Sequence, residues 1–376
     1  MRVFTLSAAS ALLATSAQCE ATSNCACGYT TSEGVFYTEA LETDFLHVQD
    51  LTRDTSAAWI PQSYNVTPED ANGPYGKASQ VENVVTNPVR SGQFDWTGPG
   101  VHDGDPGLQL WARSKLVAEG NGELIPMAEV VSARDDMLYG SFRIGMKTTR
   151  VSGTCGAFFY YFNDSNEIDM EFLSKQNEAR TINLVLQSPH SADVGYASGP
   201  DFSTRNLSFA PEDAYNEYRF DWLPGRVDFY ANSQLLSSVT QNVPNQAGKV
   251  HISHWSNGNG GWSAGPPKED AVLTVSYVKA YFNSSDARTG TASLKDCTAP
   301  QQLCHVLDQT APPDPSGVNG NETGRTPFLT PQGANETLDG EAKESGGGRS
   351  KSLPDAWWTA FIFTTVTLAL LLDSIA

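Results

Sequence analysis

Residues 165–173 read SNEIDMEFL, with carboxylates at Glu167, Asp169 and Glu171 and apolar side chains at Ile168, Met170 and Phe172. Strict two-residue alternation marks a β-strand, whose successive side chains point to opposite faces. The three acids then share one face and the three apolar groups the other. Like charges on one strand face repel, and a solvated face would mix Lys and Thr among its acids. A calcium site would draw on loop ligands around a Gly turn. Two carboxylates on one cleft suit a different chemistry, the cleavage of a glycosidic bond with retention. One attacks the anomeric carbon, while the other protonates the departing oxygen and later activates water.

Strand rise alone puts the Cα atoms of Glu167 and Glu171 about 13 Å apart. The side chains must lean together to reach the ~5–5.5 Å of a retaining pair. Asp169 lies between them, where it can share a proton with Glu167 and orient it. Crowding also drives the carboxyl pKa values apart, so that one group stays protonated while another is an anion.

Strand patterns continue outward from this stretch. YGSFRIGMK, AFFYYF, TINLVLQS, EYRFDWLPGRVDFYANSQLL, KVHISHW and AVLTVSYVKAYF are separated by Gly, Pro and Asn signals. Leu223-Pro224-Gly225-Arg226 reads as a hairpin turn. Convincing amphipathic helices and internal repeats are absent. Many short strands with turns between them predict an all-β sandwich of two antiparallel sheets, a jelly roll, over residues 29–304.

The EIDME motif matches the E-x-D-x-E signature of glycoside hydrolase family 16, the laminarinase, lichenase and cell-wall transglycosylase group. The similarity extends over roughly residues 94–283, through Glu129, Tyr139-Gly140, the YNEYRFDWLPGRVDFYANSQLL hairpin and GKVHISHWSNGNGGW. The resemblance implies a concanavalin-like β-jelly roll, with Glu167 as nucleophile, Asp169 as its assistant and Glu171 as general acid/base. By the same resemblance Glu129, Asn183 and Trp255 fall where groove residues lie, and Trp262 lies in a Gly-rich loop at the rim. An indole such as Trp255 can stack on a sugar ring or pack into a core, whereas Trp222 in an alternating strand reads as core. His251 and His254 read as structural or groove-lining. The chain departs from the family pattern at Val131, Ser165 and Ser253, where Arg, Trp and Asn are common. Those changes leave the chemistry intact and bear on the substrate. Family relatives can hold a structural calcium, but no ligand pattern places one here, and the reaction needs no cofactor.

The ends suggest secretion. Residues 1–17 have the basic start, apolar run and small residues of a signal peptide. Small residues at Ser345, Gly346 and Gly347 precede a polar spacer and an apolar tail, the order of a GPI-attachment signal over residues 345–376. The tail is short for a bilayer span. Between them, residues 305–351 are rich in Pro, Gly, Asn and Asp and read as a disordered stalk. Sequons at Asn65, Asn206, Asn283, Asn321 and Asn335 suit a glycoprotein, whereas the sequon at Asn163 sits too close to the acids to carry a glycan. The six cysteines would be oxidised in that pathway, with Cys297–Cys304 the one pair that the spacing suggests. A net charge of -19 argues against nucleic acid or an anionic membrane surface as partner. The reading that follows is an extracellular, monomeric, GPI-anchored endo-β-glucanase acting on β-1,3- or β-1,3/1,4-glucan of a fungal cell wall. A wall transglycosylase would share the first half-reaction. A glucan-binding lectin would have no use for the carboxylate triplet, and a structural wall protein would be more repetitive.

Overall fold

The computed structural model describes residues 25–51, 58–92, 95–120, 122–286, 302–316 and 326–330. Two sheets are stacked face to face. One runs Phe202–Asn206, Thr181–Gln187, Asn166–Leu173, Cys155–Asn163, Lys249–Trp255, Gly122–Ser132, Gly76–Ser79 and Tyr64–Val66, with Trp59–Pro61 and Val117–Glu119 attached to Gly122–Ser132. The other runs Gln234–Val239, Arg226–Ala231, Asn216–Leu223, Met137–Lys147, Ala271–Ser284, Gly107–Ala112 and Val84–Asn87, with Glu39–Asp44 beside Ala271–Ser284. Within these two sheets the pairings are antiparallel except where Gly76–Ser79 runs parallel to Gly122–Ser132. Among the described residues the only α-helix is the short Pro189–Val194. This is the all-β sandwich expected from the strand pattern.

Alternation decides which side chains meet between the sheets. Ile168, Met170 and Phe172 turn inward to join Phe158, Tyr160 and Ile252 from their own sheet. Phe142, Ile144, Tyr218, Phe220 and Trp222 meet them from the other. Phe172 packs edge-on against Tyr218 at 4.6 Å, and Tyr160 lies 4.3 Å from Trp222. Each such large side chain contributes about 1.5–3 kcal/mol by leaving water. Trp222 is fully buried, with its indole N–H donating to the Pro244 carbonyl at 2.9 Å, so it belongs to the core. The two-residue turn at Pro224-Gly225 joins Leu223 to Arg226, with Gly225 at φ 75° as such a tight connection requires.

The outer face of the second sheet is covered as well. Its Arg143, Arg219 and Lys279 are buried beneath residues 302–316 and 326–330. The Arg143 guanidinium donates to the Leu307 carbonyl at 2.9 Å, and Arg219 pairs with Asp308 at 2.7 Å. Lys279 donates to Thr326 Oγ1 and to the Pro327 carbonyl. The packed domain therefore continues past Cys304. A Pro-rich composition that cannot fold alone can still dock, because three buried cations offer it partners. Cys304 is bonded to Cys25, not to Cys297, and ties this region to the amino-terminal strand Tyr29–Thr30. Cys27 is also in a disulfide. Cys155 is not: it is a free, buried thiol, because its strand carries it onto the sheet beside Glu171 and away from the other described cysteines. The proposed signal peptide, Asn321, Asn335, Ser345, Gly346, Gly347 and the apolar tail lie outside the described residues. No helix among the described residues is long and apolar enough to cross a membrane. Asn65 and Asn206 are exposed and Asn283 is half-buried.

Candidate active site

The strand Asn166–Leu173 lies between Cys155–Asn163 and Thr181–Gln187, and its register fixes the neighbours of each acid. Glu167 stands between Tyr161 and Gln187, Asp169 between Phe159 and Val185, and Glu171 between Ala157 and Asn183. All turn away from the core. Yet Asp169 is 5% exposed and Glu129 7%. Outward side chains so well covered must lie in a depression, and flanking segments form its walls. Tyr64, from the short strand at the sheet edge, reaches over to donate to Glu129 Oε2. Trp262 closes the opposite side, 5.9 Å from Phe202. Its loop is stiffened by a buried network in which Ser263 Oγ donates to Asn257 Oδ1 at 2.7 Å. Lys175 Nζ also donates to the Gly260 carbonyl at 2.8 Å.

Burial is the main electrostatic influence on the three acids. It pushes Glu167 up to about 7, against a hydrogen bond from Asp169 and reinforced by the charges of Glu171 and Asp164. Asp169 is held far above the ordinary carboxyl range by burial and then by Glu167 and Glu171. Its proton therefore stays in place and is donated to Glu167. Burial raises Glu171 to about 7 as well, opposed by hydrogen bonds from Cys155 and the Trp262 indole and by the charge of Lys77. The result is one carboxyl locked as an acid between two that titrate near neutrality. Such a set can present an anion and a proton to the same bond.

The other expected groove residues separate into two kinds. Glu129 sits beside Ser253 in the neighbouring strand and accepts from Tyr64 and from His251 Nδ1, the latter at 2.8 Å. His251 also stacks on Phe159 at 4.8 Å. The half-buried Trp255 faces the same depression, next to Cys155. Asn183 differs from its expected substrate contact. It is 1% exposed, and its amide donates to the Glu171 backbone carbonyl at 3.2 Å and to Gln176 at 2.9 Å. It supports the carboxylate strand from behind the reach of a sugar. His254 points the other way, between the sheets. Its ring nitrogens meet the Leu110 carbonyl and Thr154, each at 2.9 Å, and burial lowers it to about 4. It is a neutral structural residue.

Sequence reasoning missed two participants. Lys77, on Gly76–Ser79, places its ammonium over the Trp255 ring at 4.6 Å from the centroid. Burial lowers its pKa while Glu129, Cys155, Glu171 and Glu167 oppose that shift. Cys155 is the other, its thiol 3.3 Å from Glu171 Oε1. Among the described residues no group of three His, Cys, Asp or Glu is arranged to hold a metal ion.

A β-sandwich with paired carboxylates in a walled depression is an arrangement that can cleave a glycosidic bond. Residues 92–278 match the model of glycosyl hydrolases family 16. It is 26% identical over 187 residues to a beta-glucanase of Brevibacillus brevis, covering 45% of this chain and 69% of that protein. It is 30% identical over 129 residues to a beta-glucanase of Paenibacillus polymyxa, covering 32% of this chain and 49% of that one. The chain thus spans about half the length of the second relative. Among solved structures, the Bacillus licheniformis beta-glucanase aligns with TM-score 0.47 and 17% identity over 64% of this chain and 97% of that one. The catalytic domain of a Thermotoga petrophila laminarinase aligns with TM-score 0.49 and 15% identity over 65% and 97%.

Proposed function

We propose that this chain is a retaining endo-β-glucanase that cleaves β-1,3- or β-1,3/1,4-glucan by double displacement. The observation that carries the reading is the placement of Glu167, Asp169 and Glu171 on one outward strand face at the floor of a walled depression. Glu167 attacks the anomeric carbon as an anion while Glu171 donates its proton to the departing oxygen. Neutralising Glu167 by glycosylation removes the charge that Asp169 was solvating, and Glu171, now ionised, takes a proton from the incoming water. Trp255 on one side and the Phe202–Trp262 pair on the other offer ring faces to sugars flanking the scissile bond, which supports internal cleavage. The protein acts as a monomer outside the cell, held to membrane or wall by a GPI anchor, with wall β-glucan as its partner.

The Phe202–Trp262 pair also favours a second reading, in which a sugar hydroxyl replaces water and glycan is transferred. Incubation with laminarin, barley β-glucan and labelled oligosaccharide acceptors, with products read by mass spectrometry, separates the two. Shorter unlabelled products establish hydrolysis and name the glucan. Label on longer chains establishes transfer, and binding without products returns the chain to a lectin-like role.

A further inference from the structure

Of the cysteines in a chain with secretory features, Cys155 carries a free thiol, and the catalytic cycle described above gives it no task. Its side chain has no solvent exposure. Alternation along Cys155–Asn163 puts it on the same outward face as Ala157, Phe159 and Tyr161. There it stands between Leu173 and Trp255 in the neighbouring strands. Its Sγ lies 3.3 Å from Oε1 of Glu171 and donates to it. The Trp262 indole supplies a second donor to the same carboxyl. A buried thiol could as easily have been an apolar group here, since free cysteine otherwise behaves as a small hydrophobe. What distinguishes Cys155 from a methyl is that it has a proton to give.

We propose that Cys155 is a positioning residue for the acid/base, holding the Glu171 carboxyl by an S–H···O bond that favours its ionised form. The proposal rests on the assignment of Glu171 as acid/base. Its consequences differ between the two half-reactions. When Glu171 must release its proton to the leaving oxygen, a donor waiting on Oε1 stabilises the carboxylate that appears. When Glu171 must then accept a proton from water, the same bond keeps the carboxylate in one rotamer. The thiol itself stays protonated throughout: burial first, and then Glu171 and Asp169, raise it well above its ordinary value. It can therefore neither add negative charge to the cluster nor act as a nucleophile. The other titratable groups around Glu171 are Asp169 and Glu167 on its own strand, Lys77 from Gly76–Ser79, and the Glu129–His251 pair farther across the sheet. None of these side chains is altered in the Cys155 variants.

The test is a matched pair of variants, Cys155→Val and Cys155→Thr, which have nearly the same shape and strand preference and differ in a hydroxyl donor. The readouts are the pH dependence of kcat/KM on glucan, kcat, and the thermal midpoint. Loss of the donor removes a stabiliser of the ionised form, so Cys155→Val should move the basic limb upward by about half a pH unit, a threefold weaker acid. Its kcat should fall about threefold or more. Cys155→Thr should return the limb toward the wild-type position. If Val and Thr share one basic limb, the hydrogen bond has no catalytic consequence and the proposal is overturned, whatever happens to the thermal midpoint. If Cys155→Val does not fold, the pair Cys155→Ala and Cys155→Ser makes the same comparison. Glu171→Gln is measured alongside. Activity surviving in that variant would sink the acid/base assignment itself, whereas an inactive Glu171→Gln with an unmoved limb in Cys155→Val would sink the Cys155 role alone.

Discussion

The sandwich buries charged residues on both of its outer faces, and the two clusters are built in opposite ways. On the covered back face, Arg219 is 2% exposed and meets Asp308 at 2.7 Å and both Asp221 and Glu33 at 3.3 Å. Burial works against ionising Asp308, but Ser32, Arg219 and Arg143 outweigh it and hold that carboxyl below its usual range. On the groove face, Glu167, Asp169 and Glu171 have no cation within ion-pair distance among the described residues. Burial drives all three upward, and Lys77 acts on Glu167 and Glu171 only from a distance. A buried ion pair is compensated and inert, while a buried set of like charges is costly and reactive. Groups whose pKa values lie far from their usual range in a cleft are candidates for chemistry. The back face shows that burial alone does not make a site.

The largest break in this comparison comes from Glu167. Glu167→Gln should lower kcat roughly 10⁴-fold while glucan binding is retained, because the covalent route is closed. Unimpaired turnover would remove the nucleophile assignment. Asp169→Asn keeps a donor toward Glu167 but cannot adjust its proton sharing, and a loss of about 10²-fold in kcat is expected.

The back face should respond in stability instead. Arg219→Met leaves Asp221 and Asp308 with Arg143 as their remaining cation and should cost about 3 kcal/mol of unfolding free energy, leaving kcat within about twofold of wild type. A variant that unfolds no more easily would show that the covering segment is held by something else.

The acids themselves should show the reverse sign. Glu167 and Glu171 are raised to about 7 in the folded state, so between the ordinary carboxyl value and 7 the folded chain holds more protons than the unfolded one. Stability then falls as pH rises through that window and is greatest on its acidic side. Glu167→Gln should therefore be more stable than wild type at pH 8 by on the order of 1–2 kcal/mol, with little difference at pH 4. Equal stability at both pH values would contradict a costly cluster. The activity of the wild type should be bell-shaped, falling on the acid side as Glu167 protonates and above about 7 as Glu171 loses its proton. The smallest effect is expected from Lys77→Met. Losing a cation that favours the ionised acids should move both limbs upward by a few tenths of a pH unit.

Much of this site was written in one strand. The alternation of SNEIDMEFL assigns the acids to one face and the anchoring apolar groups to the other, and the Pro-Gly turn after Leu223 announces its hairpin. Period-2 patterns report facing directly, so these readings needed no partner. Lys77 was not legible in the same way. Its position over Trp255 depends on the parallel pairing of Gly76–Ser79 with Gly122–Ser132, and nothing in the local stretch YGKAS reveals that. Cys155 was hidden by a sound rule about oxidising compartments, which says nothing about a thiol placed where the other described cysteines cannot reach. Composition alone describes the segment beyond Cys304 as a stalk, and composition does not show that Arg143, Arg219 and Lys279 wait beneath it. Asn183 shares the face of Glu171, its partner in register, but its burial behind Gln176 follows from the short helical turn after the carboxylate strand.

Two half-buried carboxyls flanking the buried Asp169 are proposed to cleave glucan through a glycosyl-enzyme. Proton NMR of the first products released from barley β-glucan or laminarin tests it most directly. Double displacement at Glu167 predicts that the new reducing end appears as the β-anomer and only later equilibrates with the α form. Initial release of the α-anomer would mean direct attack by water, and would contradict the account.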